Sequence, residues 1–268
     1  MSWHLSRMVA FDLETTGVSI ETDRIVTAAV IGVGGDTATE PRTWLADPGI
    51  DIPAEAAAIH GITTDRARTE GIPAARAVEE ITAALARYLD MGVPIVGHNV
   101  SYDLTLLDRE CRRHDLPTLS EVIYDTVIWP VVDTRVLDTH VLPYRRRVSE
   151  KQGARQLITL AGVYGLAWDE AGAHGAEYDA LMAARIAYRI NQIATMPHVD
   201  RPPVVHEAKK QRFDEVNDLD LEGLHHAQIR WAAEQAQSLQ TYLRKSDPHA
   251  AVDGSWPLIP FKEASDAR

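Results

Sequence analysis

The chain has 268 residues, 45% of them hydrophobic and 25% charged, which is a globular composition with room for one large domain or for a domain and an appendage. Its formal charge of -12 argues against non-specific duplex binding, which depends on neutralising phosphates with Lys and Arg, but not against an enzyme that grips one chain end through metals and a local basic patch. One cysteine, Cys111, leaves no intrachain disulfide and no thiolate metal cluster; with no visible signal peptide or membrane-spanning run, the expected location is cytoplasmic.

The apolar lead Met8-Val9-Ala10 runs into Phe11-Asp12-Leu13-Glu14-Thr15-Thr16-Gly17 and predicts a buried first strand that ends by presenting two carboxylates. Residues i and i+2 of a strand share a face, so Asp12 and Glu14 point the same way while Leu13 turns into the core. Like charges at that spacing repel unless something neutralises them, and carboxylate and water ligands suit Mg²⁺ or Mn²⁺ rather than zinc. A solvated strand edge gives the same D-x-E pattern, so the pair needs partners elsewhere.

A second strand is predicted over 24–31, a turn at Gly32 to Gly35 and a weaker third strand over 39–45. The pattern Ile52-Pro53-Ala54-Glu55 starts a short helix, with Pro near its N-terminus. Val78, Ile81, Leu85 and Leu89 recur at helical spacing, and Pro94-Ile95-Val96-Gly97 has the size of a buried strand. That strand leads into His98-Asn99-Val100-Ser101-Tyr102-Asp103, then a helix marked by Leu104, Leu107 and Cys111. Val131-Val132-Asp133-Thr134 reads as the last central strand, followed by the basic run Arg145-Arg146-Arg147 with Lys151 and Arg155 behind it. Leu157, Leu160, Ala161 and Tyr164 mark another helical face. His174 precedes a final helix whose apolar positions are Met182, Ile186, Ile190 and Ile193.

Three prolines between Met196 and Pro203 suggest a boundary, with a domain over 1–197 and an extension over 198–268. The extension begins with a small basic patch, Lys209-Lys210-Gln211-Arg212. A helix follows over 221–243, with Ala232, Ala236, Leu239 and Leu243 on one side. That helix is expected to pack on the preceding domain, to self-associate, or to hold a protein partner through the apolar tail Trp256 to Phe261, which reads equally as a docking peptide or as a clasp folded onto its own domain.

Asp103 falls in the first turn of a helix entered from a short strand, the place where α/β sheets put their sites. Asp179 falls in the opening turns of another helix, where negative charge gains from the helix N-terminus. A helix-start carboxylate and a surface one would look the same.

Three stretches, Asp12 to Gly17, His98 to Asp103 and His174-Gly175-Ala176-Glu177-Tyr178-Asp179-Ala180, resemble in order the three motifs of the DEDD 3'-5' exonucleases, in the DnaQ-like branch with a catalytic histidine. Ala58 to Thr63 and Val132-Asp133-Thr134 are also similar. A sister branch has tyrosine four residues before the last aspartate, where this chain has Gly175. The resemblance implies an α/β, ribonuclease H-like fold with a mixed central sheet flanked by helices. It implies that Asp12, Glu14, Asp103 and Asp179 hold two Mg²⁺ or Mn²⁺ ions, and that His174 is the general base. The expected reaction releases nucleoside 5'-monophosphates from single-stranded or frayed 3' ends, DNA being favoured by motif spacing. RNA trimming and a non-catalytic scaffold are the alternatives. The resemblance also places Leu13, Thr15, Thr16 and His60 at the terminal nucleotide, although Thr16 reads equally as a turn residue. Asn99 is expected to orient the motif loop. Arg145, Arg146 and Arg147 are expected at the incoming backbone, or else in a solvated loop.

Overall fold

The structure is a computed structural model and describes residues 2–205 and 207–262, leaving aside the side chains of residues 207–209. Lys209, in the expected basic patch, therefore lies outside the described residues. Six strands form one mixed sheet: β1 (Met8–Thr15), β2 (Ile25–Val33), β3 (Glu40–Asp47), β4 (Ile72–Pro73), β5 (Ile95–Gly97) and β6 (Val131–Asp133), in the order β4-β3-β2-β1-β5-β6. β1 runs antiparallel to β2, with Asp12 opposite Ala29, and parallel to β5. The helices are α1 (Ala54–His60), α2 (Thr64–Glu70), α3 (Ala74–Asp90), α4 (Val100–Arg113), α5 (Leu119–Val122), α6 (Thr134–Val141), α7 (Leu157–Val163), α8 (Ala176–Thr195), α9 (Glu207–Asn217) and α10 (Leu221–Leu243).

Alternation along β1 sets the two layers. Val9, Phe11 and Leu13 enter the large core shared with α3 and α4, through Ile81, Leu85, Leu104 and Leu107. Ala10 faces the other way and joins Ala29, Ile31, Ala176, Ala180 and Ala184. Five of those six side chains are alanine, so α8 lies close to β1 and β2. A third cluster, Val26, Ile52, Ala56, Ile62 and Ala67, seats the α1–α2 pair against β2. At Gly97 the backbone of β5 passes so close to β1 that a Cβ would stand 2.9 Å from the Phe11 carbonyl oxygen and 2.7 Å from Val100.

β6 is the edge strand of the sheet rather than a central one, and α10 takes the place of a neighbour. The Val131 N–H donates to His225 Nδ1 (3.3 Å), Gln228 Nε2 donates to the Val131 carbonyl (3.1 Å), and the Asp133 N–H donates to Gln228 Oε1 (2.8 Å). Two polar side chains thereby satisfy an edge that would otherwise expose unpaired main chain. This is why the apolar stripe of α10 misled: its buried face is Leu224, His225, Ala227, Gln228 and Trp231, while Leu239 and Leu243 are exposed where the helix runs past the sheet.

The C-terminal tail is a clasp. Trp256 is buried and donates Nε1–H to Asp133 Oδ2 (3.4 Å), and the Ile259 N–H donates to Thr105 Oγ1 (3.0 Å). Arg109 Nη2 donates to the carbonyls of Ile259 (3.1 Å) and Pro260 (3.3 Å). The Arg109 and Arg112 guanidinium groups lie 5.2 and 4.6 Å from the Phe261 ring centre. No helix among the described residues is long and apolar enough to cross a membrane.

Candidate active site

Asp12 and Glu14 leave β1 on the α8 side, and the alanine contact brings the first turn of α8 down to meet them. Oxygens of Asp12, Glu14 and Asp179 all lie within 4.8 Å of one another. Asp103, in the first turn of α4, is buried and accepts the Leu13 N–H on Oδ1 (3.2 Å). The sheet thus gathers four carboxylates from three sequence-distant segments at the C-terminal end of β1.

Their electrostatics are those of acids without counter-charge. Burial raises the Asp12 pKa well above the carboxylate range, and Asp103, Glu14 and Asp179 push it further. Burial and then Asp179 raise Glu14 to about 8. Asp103 is raised chiefly by burial, against hydrogen bonds that lower it; Asp179 is raised by burial, partly offset by His174. Among the described residues none of the four makes an ion pair with Lys or Arg, and Asp179 Oδ1 is buried without a hydrogen-bond donor. Clustered hard oxygens, one of them orphaned, fit a divalent cation such as Mg²⁺ or Mn²⁺. The residues present therefore fit the metal their motifs implied.

His174 is exposed, has φ 61°, and stands with Asp179, His98, Asn99, Arg135, Lys151 and Trp168 around a cleft of about 580 Å³. Tyr178 supports its loop. The Asp169 N–H donates to the Tyr178 hydroxyl (2.7 Å), Trp168 meets the Tyr178 ring edge-on at 5.2 Å, and a Cβ at Gly172 would lie 2.9 Å from that ring.

The other expected residues divide. His60 ends α1 against the Thr15 main chain, and its Nδ1 accepts the Ile62 N–H (3.2 Å). Thr15 Oγ1 bonds the Gly17 carbonyl (2.6 Å) and the Tyr102 hydroxyl (3.1 Å). Thr16 is a turn residue: its hydroxyl donates to Asp23 (2.7 Å) and accepts the Arg24 N–H (3.0 Å), while its N–H goes to the Arg24 carbonyl (3.0 Å). The Leu13 N–H is occupied by Asp103. Asn99, at φ 63°, accepts Arg135 Nη1 on Oδ1 (2.7 Å).

Arg145 is diverted from the backbone role. Its Nη2 and Nη1 bind Asp138 at 2.6 and 3.0 Å, Arg155 binds the same carboxylate, and Tyr164 donates to it at 2.8 Å. Asp138 is fully buried, and a charge there requires such neutralisation. Arg146 and Arg147 are exposed on the following loop, Arg147 donating to the Glu150 carbonyl.

Asp133 was under-read in the sequence. Its Oδ1 accepts the N–H groups of Asn99 (3.0 Å) and Arg135 (2.9 Å), so it caps α6 and holds the Asn99 turn together. An Asp just before an apolar helical run is a standard N-cap signal and could have marked it. Arg135 and Tyr178 carry no such signal; only the fold brings Arg135 to the cleft and Tyr178 under the loop that carries His174.

A family model described as "Exonuclease" matches residues 9–187, which include all four carboxylates and His174. The chain belongs to this exonuclease family. A "DNA polymerase III subunit epsilon-like protein" of Rhodobacter capsulatus is 31% identical over 154 residues, covering 55% of this chain but 21% of that protein. "DNA polymerase III PolC-type" of Streptococcus thermophilus is 26% identical over 180 residues, covering 67% of this chain and 11% of its own length. The chain thus spans about a fifth or less of these relatives. Among solved structures, E. coli exonuclease I in complex with a dT13 oligonucleotide aligns with a TM-score of 0.54 at 21% identity, over 69% of this chain and 41% of the other. That likeness shows the ribonuclease H-like fold, a mixed six-stranded sheet flanked by helices with a helical C-terminal part.

Proposed function

We propose that the chain is a metal-dependent 3'-5' exonuclease that releases nucleoside 5'-monophosphates, with single-stranded DNA as its favoured substrate. The gathering of Asp12, Glu14 and Asp179 within 4.8 Å, beside Asp103 and on the cleft that holds His174, carries this reading. The four carboxylates would hold two Mg²⁺ or Mn²⁺ ions. Bound there, the cations supply the positive charge that acidifies a water and stabilises a leaving 3'-oxygen. His174, free of packing on an exposed turn, takes the proton of the attacking water as general base. His60 and Thr15 flank the terminal nucleotide, and the Asp133-braced Asn99 turn lines the same cleft as Asp179. Lys151 and Arg135, which line the cleft, meet the backbone phosphates in place of Arg145. Residues 1–197 form the exonuclease unit and 198–268 its extension. DNA is favoured because the relatives are DNA polymerase III proteins and the structural neighbour is bound to an oligothymidylate, which also makes replication or repair the expected setting.

The test uses 5'-labelled single-stranded DNA, 3'-mismatched duplex and single-stranded RNA, each with Mg²⁺, Mn²⁺ or EDTA. A metal-dependent ladder that shortens from the 3' end, and that falls at least a hundredfold in Asp12→Ala and His174→Ala, is the expected result. Faster trimming of RNA than DNA would reverse the substrate preference. An absence of shortening on all three with either metal would overturn the reading.

A further inference from the structure

The cleft at His174 does not end at Asn99. A second groove of about 370 Å³ begins there, sharing Asn99, Arg135 and Arg155 with the first. Its far wall comes from the extension: Gln235, Ala236 and Leu239 of α10 and residues 252–256 of the tail. Its near wall is the C-terminal end of β6 and the start of α6, through Asp133, Arg135, Val136 and Thr139. The two grooves together run from Asp179 past the C-terminal ends of β5 and β6 to α10. None of the far wall lies within the segment that the exonuclease family covers, which ends at residue 187.

We propose that this second groove holds the single strand behind its 3' end, so that the chain threads from α10, over Arg135, to the carboxylates. The inference rests on the exonuclease reading and adds a direction and a second subsite to it. Its chemistry suits a strand of any sequence. Thr139, Gln235 and Ser255 line it with neutral polar groups, of which the Thr139 hydroxyl donates to the Arg135 carbonyl and Gln235 Nε2 to the Val136 carbonyl, leaving their oxygens as acceptors, and Leu239, 43% exposed, supplies an apolar surface for sugar or base. Of the two carboxylates in the lining, Asp133 is buried and engaged by Asn99, Arg135 and Trp256, so it does not confront the strand as a free charge, whereas Asp253 is exposed and held ionised by hydrogen bonds from Ser255, and the grip of Arg135 must outweigh it. Arg135 stands at the junction of the two grooves. Its hydrogen-bond partner, Asn99 Oδ1, is neutral, and among the described residues Arg135 makes no ion pair, so its charge remains available to a phosphate. Arg155, by contrast, is committed to Asp138. In a protein of net charge -12, one such cation at the junction and Lys151 in the first cleft give a weak, local grip. Two phosphate contacts on a single strand predict a log-log salt slope of about -1.4.

The experiment compares oligothymidylates of two and eight nucleotides, 5'-labelled, with wild-type protein, Leu239→Glu and Arg135→Gln. The ratio of kcat/KM for the eight-mer to that for the two-mer is the readout, because a general loss of folding or chemistry cancels from it. The ratio is expected to be about tenfold above unity in the wild type and to fall about fivefold or more in each variant. Anisotropy of the labelled eight-mer in Ca²⁺ reads the same groove without turnover, and Arg135→Gln should flatten its salt slope by about 0.7. A wild-type ratio near one, or variants with the wild-type ratio and wild-type affinity, would overturn the groove. Hydrolysis of bis(p-nitrophenyl) phosphate separates the two readings. A wild-type protein inert on this ester and on every oligonucleotide refutes the exonuclease, whereas one active on the ester with no length dependence refutes only the groove.

Discussion

Asp12, Glu14 and Asp179 hold one another's charge in check, and that has a measurable cost without metal. Glu14 would titrate near 4.5 in an unfolded chain and is raised to about 8 in the fold. A group raised in this way leaves stability intact below pH 4.5, and stability is then lost progressively as pH climbs to 8. Between pH 6.5 and 8 the loss from Glu14 alone amounts to about 2 kcal/mol. Denaturant midpoints in EDTA should therefore fall across that window, and Mg²⁺ should restore them because it binds the folded form. Asp12→Asn removes one of the repelling charges, so in EDTA it should be more stable than wild type at pH 8 while lacking turnover. A metal-free midpoint that is flat from pH 6.5 to 8 would contradict the electrostatics of the site. The D-x-E pair itself was legible because strand periodicity is local. That Arg145 is committed elsewhere was not, since the sequence around it carries no sign that a buried Asp138 seven residues earlier would claim it.

At the scale of elements, the longer strands and helices followed from apolar period, Pro and Gly, whereas the short β4 and the helices α2, α5, α6 and α9 did not. The neighbourhood of β6 and α10 was also misplaced. The pattern of β6 reads as central because it is fully buried, yet its outer neighbour is a helix that offers His225 and Gln228 in place of a strand. A polar side chain acting as main-chain partner has no hydrophobic signature, and for that reason the apolar stripe through Leu239 did not reveal His225 and Gln228 on the buried face of α10. The same blindness hid Tyr178, which sits one residue before a motif aspartate and organises the His174 turn through the Asp169 N–H. Tyr178→Phe removes only that acceptor. It should lower kcat about tenfold while leaving KM and the metal concentration for half-maximal rate unchanged, as expected of a group that places the proposed base, His174, without touching substrate. Added to His174→Ala, the same substitution should cost nothing further, because the residue proposed as base is gone. A loss of equal size in both backgrounds would make Tyr178 a matter of general stability instead.

Across the whole molecule, the extension is tied to the catalytic layer at three levels: Gln228 and His225 on β6, Trp256 on Asp133, and the Arg109 grip on the tail, which also reaches Glu21 beside the first motif. Two histidines at this junction, His225 on α10 and His140 on α6, are held neutral. His225 is fully buried and His140, stacked on Trp231 at 3.7 Å, nearly so; burial pushes each down to about 4, with Arg212 adding to the effect on His140. For a depressed histidine the sign is opposite to that of Glu14. Above pH 6.5 neither state binds the proton and stability is whole; from 6.5 down to about 4 the unfolded chain takes up a proton the fold refuses, and stability drains away. Each histidine can remove up to about 3 kcal/mol over that range. The carboxylate cluster acts in the opposite direction there, so the net slope of the wild type does not isolate the histidines, but a difference between proteins does. In His225→Asn the amide oxygen can still accept the Val131 N–H and cannot protonate. Its stability relative to wild type should therefore rise by about 2 kcal/mol between pH 6.5 and 4.5, read from urea midpoints in EDTA. Trp256, whose ring lies 5.0 Å from that of His225, gives a local fluorescence signal for the same event. If the two proteins keep a constant stability difference through this range, the extension is not held by a neutral His225, and the acid sensitivity of the fold must arise elsewhere.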